Sequence, residues 1–480
     1  MTRDTCFTPA TELASAVRAG ERSPVAVVEA FLDRIEARNG ATNAYVTVCA
    51  DRARERAREV EAAVERGDDP GPLAGVPVGV KDLLDVAGVR TTLGSRAIDR
   101  VPETSSIAVQ RVEAAGGVVL GKTNTPEFGR KTNTVNPRFG ATTTPFGGDA
   151  ELTAGGSSGG SAAALADGLA ALALGTDAAG SLRVPASACG VVGVVPDFGR
   201  VPQGPTRTDA FRPRLPYSYV GPMARTVGDA ALALSVLAGP HRRDPDSRTE
   251  PVPEYPDRAG AAALDGLRVA ASADLGLQPV ADPVRGTFEA AVETIGDAGA
   301  TVRRAAPAFG DRESLHGALT ALLRARYLGL YDDLRADGID LLDPDAGATP
   351  EVVSRVEAAV DLPARAVTDA ERTRTGAFDA VQECLTDHDL LVTPTTTVPP
   401  WPVDGLPEID GEAVDPNHGW ILTWPFNLTG HPAVSVPAGF VDGLPVGLQV
   451  VGRHGADADV LAAAAAFERA SPWTDRYPGR

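Results

Sequence analysis

Apolar residues recur along this chain at two spacings, and each spacing predicts a different kind of element. Residues 23–39 carry an apolar side chain at about every third or fourth position, after a serine and a proline that are typical of a helix start. Residues 76–80 instead alternate valine with a proline and a glycine, which is the two-residue period of a strand. The two patterns intermix along the whole chain, which predicts the α/β class.

The same patterns predict the remaining elements, with no internal repeat and no coiled coil. Helices are predicted at residues 23–39, 51–66, 107–115, 161–167, 227–237, 284–298 and 457–469, over most of 315–385, and from a start near residue 181. Strands are predicted at residues 43–48, 76–80, 118–120, 169–174, 267–271, 301–303, 390–394, 434–437 and 446–451.

The segment 155–193 departs from both patterns. It opens with GGSSGG, which contains too much glycine for the interior of a helix or strand, and a second small-residue sequence, GTDAAGS, occupies 175–181. Ser157 and Ser181 therefore lie in two loops that each lead towards a predicted helix. Free N–H groups at helix starts stabilise a developing anion, so this segment is a candidate catalytic site.

A lysine ends the predicted strand at 76–80. Burying Lys81 as a cation would be costly, and the chain has only two other lysines, Lys122 and Lys131. A structural interpretation is a lysine that reaches solvent or pairs with Asp82 or Asp85. A functional interpretation is a lysine that is kept neutral to act as a base, and the strand pattern alone leaves both open.

Charge limits the classes of partner that the chain can bind. The 480 residues carry a formal net charge of −19, which argues against unaided binding to nucleic acid or to an anionic membrane. No apolar run reaches membrane-spanning length and the first residues lack the apolar core of a signal peptide, so we expect a cytoplasmic protein. The acidity and the scarcity of lysine have two open explanations, adaptation to a salt-rich cytoplasm and GC-rich codon usage.

Cysteine and histidine give no metal signature. The four cysteines are widely spaced, none of the six histidines precedes His241, and no HExxH sequence occurs. We therefore expect no metal and no other cofactor.

The serine-rich loop has three possible interpretations. A G-x-S-x-G elbow centred on Ser158 requires a buried strand directly before it, and residues 147–154 do not resemble one. A mobile linker explains the glycines but neither the second serine loop nor Lys81. A catalytic site that combines serine and lysine without histidine accounts for all three features.

The motifs that carry this chemistry resemble those of the amidase signature family. The resemblance covers nearly the whole chain, and its motifs occur in the family's order: GVPVGVKD (75–82), GKTNTPEF (121–128), GGSSGGSAAALA (155–166), GTDAAGSLRVPAS (175–187), CGVVG (189–193), VGPMART (220–226), LLVTPT (390–395) and GLPVGLQVVG (443–452).

The resemblance implies a Ser–Ser–Lys triad. Ser181 would be the nucleophile, Ser157 the bridging serine and Lys81 the neutral base, with a cis peptide between Gly156 and Ser157. It also implies an oxyanion hole made of the N–H groups of Ala178, Ala179, Gly180 and Ser181, and supporting roles for Gly156, Thr176, Asp177 and Arg183.

The resemblance further implies one domain over residues 1–480, with a mixed central sheet covered by helices on both faces. The signature core would span about 72–240, and residues 260–480 would complete the same sheet and the substrate pocket. The expected activity is hydrolysis of a carboxylic amide. The alternatives are the glutaminase-type A subunit of a tRNA-dependent amidotransferase and a silent relative that serves as a binding subunit.

The expected partners are a small-molecule amide and, at most, a second copy of the chain in a homodimer. Four aromatic residues cluster late in a chain that is only 5% aromatic: Trp401, Trp420, Trp424 and Phe426. They predict either ordinary core packing or an apolar wall that favours aryl or medium-chain amides.

Overall fold

A mixed β-sheet of eleven strands runs through the computed structural model, which describes residues 2–203 and 218–480. Helices flank this sheet, as the sequence predicted. Its strand order is β1-β3-β2-β6-β8-β7-β14-β15-β11-β9-β10, and the described part also contains two short two-stranded ladders, β4-β5 and β12-β13. The strands are β1 Tyr45–Val48, β2 Pro77–Lys81, β3 Val118–Thr123, β4 Val135–Asn136, β5 Gly140–Ala141, β6 Leu172–Asp177, β7 Val192–Val195, β8 Tyr219–Ala224, β9 Arg268–Ala271, β10 Thr301–Arg304, β11 Leu390–Pro394, β12 Glu408–Ile409, β13 Glu412–Ala413, β14 Ala433–Val441 and β15 Leu444–Gly452.

The helices alternate with the strands along most of the chain. They are α1 Thr2–Phe7, α2 Ala10–Arg18, α3 Pro24–Thr42, α4 Ala50–Glu65, α5 Ile107–Ala114, α6 Gly159–Ala166, α7 Arg183–Cys189, α8 Val227–Leu237, α9 Tyr255–Ala261, α10 Asp282–Asp297, α11 Arg312–Ala336, α12 Pro350–Val360, α13 Ala364–Thr386, α14 Trp424–Thr429 and α15 Asp457–Ala470. Within the described ranges, no helix combines the length and the apolar character needed to cross a bilayer.

The strands that carry the candidate site lie side by side. β2 pairs in parallel with β6, with Val80 opposite Leu174, and β6 pairs antiparallel with β8. Further along the sheet, β7 pairs antiparallel with β14, with Val194 opposite Val434. This last pairing joins the strands of the first half of the chain to those of the second half within one sheet.

The strand predicted at residues 169–174 was wrong at both ends. β6 covers Leu172–Asp177, and the apolar residues Leu169–Ala171 form a buried loop whose Ala170 carbonyl accepts a hydrogen bond from Arg225. Burial of a loop therefore produced an apolar run like that of a strand. The strand also extends into Thr176 and Asp177, which pair with β8, so the sequence GTD ends a strand instead of forming a loop.

Two central strands, β7 and β8, were not predicted. β8 contains Gly221 and Pro222, and both residue types are disfavoured inside strands. The structure explains the glycine, because a Cβ at Gly221 would lie 2.2 Å from the carbonyl oxygen of Val194 in the neighbouring strand. Because the two backbones approach so closely, position 221 has no room for the apolar side chain that would have marked a strand in the sequence.

The buried apolar side chains form two large clusters. The first packs helices such as α3, α8 and α15 against the sheet. The second, called here the aromatic cluster, contains Trp401, Trp420, Trp424 and Phe426 together with Leu315, Leu319 and Leu322 of α11. Ala179 of the second serine loop packs against the aromatic cluster, which places these side chains next to the candidate site.

Candidate active site

Lys81 is the centre of a buried cluster of hydroxyl groups. The last residue of β2, it has no solvent exposure, and its Nζ lies 2.7 Å from Ser157 Oγ and 2.9 Å from both Ser158 Oγ and Thr176 Oγ1. The serines belong to the GGSSGG loop before α6, and Thr176 belongs to β6. The sheet thus brings together three of the residues that the sequence proposed for the site: Lys81, Ser157 and Thr176.

The surroundings of Lys81 favour its neutral form. Burial lowers the pKa of Lys81 well below its usual value, Asp177 acts in the opposite direction, and the charge of Arg326 lowers it further. Neither acidic neighbour in sequence pairs with it. Asp82 accepts a hydrogen bond from Lys122 Nζ at 2.8 Å, and Asp85 pairs with Arg100 at the same distance.

The interpretation of a lysine paired with a neighbouring aspartate, considered above for Lys81, applies instead to Lys122. Lys122 is equally buried, but it forms an ion pair with Asp82 and a 2.8 Å hydrogen bond with Thr91. Lys81 has hydroxyl and carbonyl oxygens around it instead of a paired carboxylate. The two buried lysines are thus placed for different roles.

The hydrogen bonds of Lys81 determine which hydroxyl can give it a proton. A neutral amine has two N–H donors and one lone pair. Ser158 directs its own O–H to the Thr176 carbonyl at 3.3 Å, so Ser158 Oγ accepts from Lys81, and Thr176 Oγ1 can take the second N–H. The lone pair is then left for the O–H of Ser157, the shortest contact of the cluster.

The two serine loops are held together by their backbones. The Ser158 N–H donates to the Ser181 carbonyl at 3.1 Å, and Ser181 itself is half-buried in the turn that leads into α7. The peptide between Gly156 and Ser157 is cis, in agreement with the resemblance. A Cβ at Gly156 would lie 2.8 Å from the backbone nitrogen of Asn133, so the loop packs directly on the neighbouring segment.

Asp177 fixes the conformation of the second serine loop through hydrogen bonds to its backbone. Its carboxylate accepts hydrogen bonds from the N–H groups of Gly180 at 2.7 Å and Leu182 at 3.0 Å, and it pairs with Arg183 at 3.1 Å. Burial acts to raise the pKa of Asp177, but the charge and hydrogen bonds of Arg183 outweigh burial and lower it. Asp177 is thus a buried carboxylate that fixes the loop.

This network changes the expected oxyanion hole. Because the Gly180 N–H is bonded to Asp177, it is not free to meet a substrate oxygen, contrary to the expectation for that residue. The N–H groups of Ala178, Ala179 and Ser181 have no hydrogen-bond partner within residues 2–203 and 218–480. Three donors of the four expected therefore remain available.

Gly180 has a steric role instead. Its φ is +129°, and a Cβ there would lie 2.0 Å from Thr423 Oγ1. That same hydroxyl donates to the Ala179 carbonyl at 2.7 Å. The residue before α14 thus holds the loop by a hydrogen bond that only glycine at position 180 permits.

Arg183 ties the loop to the second half of the chain. Its guanidinium donates to the Thr423 carbonyl at 3.0 Å, to Gln449 Oε1 at 2.7 Å and to Asn427 Oδ1. Asn427 also donates to Asp177 at 2.8 Å. Sequence reasoning missed Thr423, Asn427 and Gln449. Gln449 could have been found from the sequence, because it is a polar residue between the buried Leu448 and Val450 in an otherwise apolar strand.

The four late aromatic residues are buried beside this network. Trp424 begins α14, directly after Thr423, and Trp401 packs edge-to-face on Trp420 with ring centroids 5.8 Å apart. The Trp420 indole N–H donates to Thr132 Oγ1 at 2.9 Å. Their burial agrees with core packing, and their contact with Ala179 through the aromatic cluster agrees with a pocket wall, so both interpretations remain open.

One group of described side chains has ligand atoms close enough for a metal ion. His316 Nε2 and His418 Nδ1 lie 3.1 Å apart, and the ligand atoms of these histidines and Asp415 lie within 4.8 Å of one another. Hydrogen bonds account for this arrangement, because the histidines bond to each other and Asp415 accepts the N–H groups of Asn417 and His418.

Comparison with known proteins identifies the group to which this arrangement belongs. A family profile described as Amidase matches residues 26–461. An acylamidase of Rhodococcus erythropolis is 36% identical over 98% of this chain and 96% of its own length. The A subunit of a glutamyl-tRNA(Gln) amidotransferase from Moorella thermoacetica is 37% identical over 98% of each chain.

Solved structures agree with these matches. A bacterial aryl acylamidase belonging to the amidase signature enzymes superposes with a TM-score of 0.92 at 35% identity, over 98% of each chain. A 6-aminohexanoate cyclic dimer hydrolase complexed with substrate superposes with a TM-score of 0.88 at 30% identity, over 98% of this chain and 99% of that one.

Proposed function

The chain belongs to the amidase signature family and hydrolyses the C–N bond of carboxylic amides, and from this premise we propose that Ser181 carries the acyl group between two half-reactions. The observation that supports this most strongly is the fully buried Lys81, which lies 2.7 Å from Ser157 Oγ and has no paired carboxylate among the described residues. Such a lysine can act as a base at neutral pH.

In the first half-reaction, Lys81 takes the proton of Ser157 while Ser157 takes that of Ser181. The Ser181 Oγ forms a bond to the carbonyl carbon, and the C=O π pair moves onto the oxygen. The N–H groups of Ala178, Ala179 and Ser181 receive this oxyanion, and one such donor is worth about 10²–10³ in kcat. The C–N bond then breaks, and the nitrogen leaves with the proton that Lys81 returns through Ser157.

In the second half-reaction, water attacks the acyl-enzyme. Its proton passes along the same relay to Lys81, a second tetrahedral oxyanion forms in the same place, and the bond to Ser181 Oγ breaks. The relay reprotonates Ser181, and the carboxylic acid leaves. Enzyme groups are thus restored without a cofactor, and one water is consumed per amide.

The aromatic cluster supports a preference for aryl or medium-chain amides. Ala179, a proposed oxyanion donor, packs against the cluster that contains Trp424 and Phe426, so an apolar part of the substrate would meet these side chains close to the reacting carbonyl. Higher kcat/KM on acetanilide or hexanamide than on glutamine would agree with this preference.

A glutaminase component of an amidotransferase is the second candidate. It is favoured by the 37% identity, over 98% of each chain, to the Moorella thermoacetica protein. Under this alternative the chain would release ammonia from glutamine and would act with partner chains. A kcat/KM on glutamine equal to or above that on the aryl and medium-chain amides would support this candidate and contradict an apolar amide preference.

Trapping the acyl-enzyme tests the proposal. An activated ester such as 4-nitrophenyl hexanoate is mixed with the enzyme, the reaction is quenched in acid, and peptide mass spectrometry locates the added hexanoyl group. We expect it on Ser181, and we expect Ser181→Ala to fold normally, to carry no adduct and to lose turnover. An adduct on Ser158 or on a cysteine would overturn the assignment.

A further inference from the structure

Two arginine side chains border the catalytic cluster without a carboxylate partner in the described part of the chain. We propose that Arg130 and Arg326 form a subsite for a carboxylate, so that the preferred substrate is an amide that also carries an anionic group. This inference rests on the proposed reaction at Ser181 and specifies its substrate class.

Arg130 is placed by its neighbours on both sides. It directly follows Gly129, where a Cβ would lie 3.4 Å from Ser157 Oγ, so this segment borders the bridging serine. Its guanidinium lies 3.5 Å from the centre of the Tyr327 ring. Stacking occupies the face of a guanidinium and leaves its in-plane N–H groups free to bind a carboxylate.

Arg326 lies on the face of α11 that packs into the protein. Leu315, Leu319 and Leu322 form a buried stripe at helical spacing, and Arg326 continues this stripe one turn further. The three leucines belong to the aromatic cluster, against which Ala179 packs. Ala179, in the loop that carries Ser181, thus packs against the same cluster as the stripe, and Tyr327, the residue after Arg326, stacks on Arg130.

The electrostatics agree with this placement. After burial, the charge of Arg326 is the factor that lowers the pKa of Lys81. Burial, followed by the charge of Arg130, lowers the pKa of Arg326 to about 9. Two guanidinium groups thus repel each other next to a buried lysine, and an anion between them would relieve that repulsion.

The nearby carboxylates are already engaged. Glu127 accepts a hydrogen bond from Ser95 at 2.7 Å, and Glu351 pairs with Lys131 and Arg355. The chain contains 64 acidic and 45 basic residues, so surplus carboxylates are plentiful. Within residues 2–203 and 218–480 these two arginines have no carboxylate partner, which supports an anion that comes from the substrate.

The ligand chemistry is a carboxylate, because paired guanidinium forks match its planar geometry. Two classes of amide could bring it. In a monoamide of a dicarboxylic acid the carboxylate is on the acyl side, and in an N-acyl aminobenzoate it is on the leaving side. Both would place an apolar body against the aromatic cluster.

Two matched substrate pairs test the subsite. The first pair is hexanamide and adipic acid monoamide, and the second is hexananilide and N-hexanoyl-4-aminobenzoate. For wild-type enzyme we expect the carboxylated member of at least one pair to have the higher kcat/KM, and the pair that shows this identifies the side. Arg326→Met and Arg130→Met should each lower the carboxylated-to-neutral ratio by about 10–100-fold.

The ratio of kcat/KM for the carboxylated substrate to kcat/KM for the neutral one reports binding of the carboxylate. A change in the reactivity of Lys81 would affect both substrates of a pair equally and would cancel in this ratio. Arg324→Met is the matched control, because Arg324 lies on the same helix and is exposed. It should leave the ratio within about twofold, as expected of a surface site. Equal losses on both members of each pair in Arg326→Met and Arg130→Met would show a structural role and overturn the subsite.

A binding measurement keeps this test separate from the proposed reaction. Calorimetry with Ser181→Ala should show adipic acid monoamide binding more tightly than hexanamide, and adding Arg326→Met should weaken the monoamide by at least about tenfold. This outcome would support the subsite even if the acyl group were found on another residue. If the kinetics identify the leaving side, N-hexanoyl-4-aminobenzoate and hexananilide replace these two amides in the same measurement. Equal affinity of Ser181→Ala for the two members of both pairs would overturn the subsite.

Discussion

Two buried lysines with different partners show how residue-level environment separates structure from chemistry. Lys122 has Asp82 at 2.8 Å, whereas Lys81 has hydroxyl groups. The sequence singled out Lys81 by its position at a strand end but left Asp82 as a candidate partner. β2 ends at Lys81, and Asp82 begins the following turn, where its carboxylate accepts hydrogen bonds from Thr92 and Lys122 instead of pairing with Lys81.

Lys122→Met should reduce stability without directly touching the site. The substitution leaves Asp82 buried without its ammonium partner, which costs about 3–5 kcal/mol in a buried pair. Denaturant unfolding measures the change in free energy. Lys131→Met is the control, since Lys131 is 42% exposed in its pair with Glu351, and it should lose no more than about 1 kcal/mol. Equal losses in both variants would contradict the structural role of Lys122.

The pH dependence of activity should follow Lys81. Its pKa is lowered by burial, so the base is protonated and inactive only below that lowered value. kcat/KM should therefore rise with pH along one ionisation and remain high into the alkaline range. The free energy of unfolding should also rise with pH because of this group. Between the lowered pKa of folded Lys81 and its ordinary value of about 10.4, the unfolded lysine is protonated while the folded one is neutral, so raising the pH favours the folded state. A fall in kcat/KM from pH 7 to 9 would contradict the role of Lys81 as the base.

At the scale of elements, the loop after β6 depends on parts of the chain about 240–270 residues away. Thr423 holds Ala179, and Asn427 and Gln449 hold Arg183. The pairing of β7 with β14 brings these parts together. Sequence motifs predicted the residues at the two serine loops, but local patterns contain no information on such distant partners.

Gly180→Ala should damage the loop more than its small change suggests. The new Cβ would lie 2.0 Å from Thr423 Oγ1, and the φ of +129° disfavours any side chain. We expect kcat to fall by at least about 10²-fold, as for loss of an oxyanion donor. Gly228→Ala in α8 is the control, because no atom lies within 4 Å of a Cβ there. Near-normal kcat in Gly180→Ala would contradict the proposed loop geometry.

The predictions from sequence fail in a consistent way among these elements. Periodic segments such as α3 and α10 were predicted well, because each buries one face. Leu169–Ala171 resembled a strand because a loop is buried, and Gly221 concealed β8 because two backbones meet there. The Gly180 N–H, expected in the oxyanion hole, is bonded to Asp177, a contact that depends on how the turn folds.

At the scale of the whole molecule, the net charge of −19 should make stability depend on salt. Like charges repel across the surface, and salt shortens their range from about 10 Å at 0.1 M to about 3 Å at 1 M. If the acidity reflects a salt-rich cytoplasm, Tm should rise between 0.1 and 2 M KCl. A Tm that is flat or falls over that range would favour codon usage as the explanation of the acidic composition.

The central claim is that Lys81 acts as a neutral base, and the kcat/KM of Lys81→Arg tests it most directly. Arginine has a side chain of similar length that is always positively charged, and its guanidinium cannot accept a proton at any accessible pH. The proposed Ser181–Ser157–Lys81 relay predicts a loss of several orders of magnitude at pH 8, as large as that of Lys81→Ala, in a folded enzyme. A Lys81→Arg enzyme with near-normal kcat/KM would show that position 81 supplies only charge, and would contradict the relay.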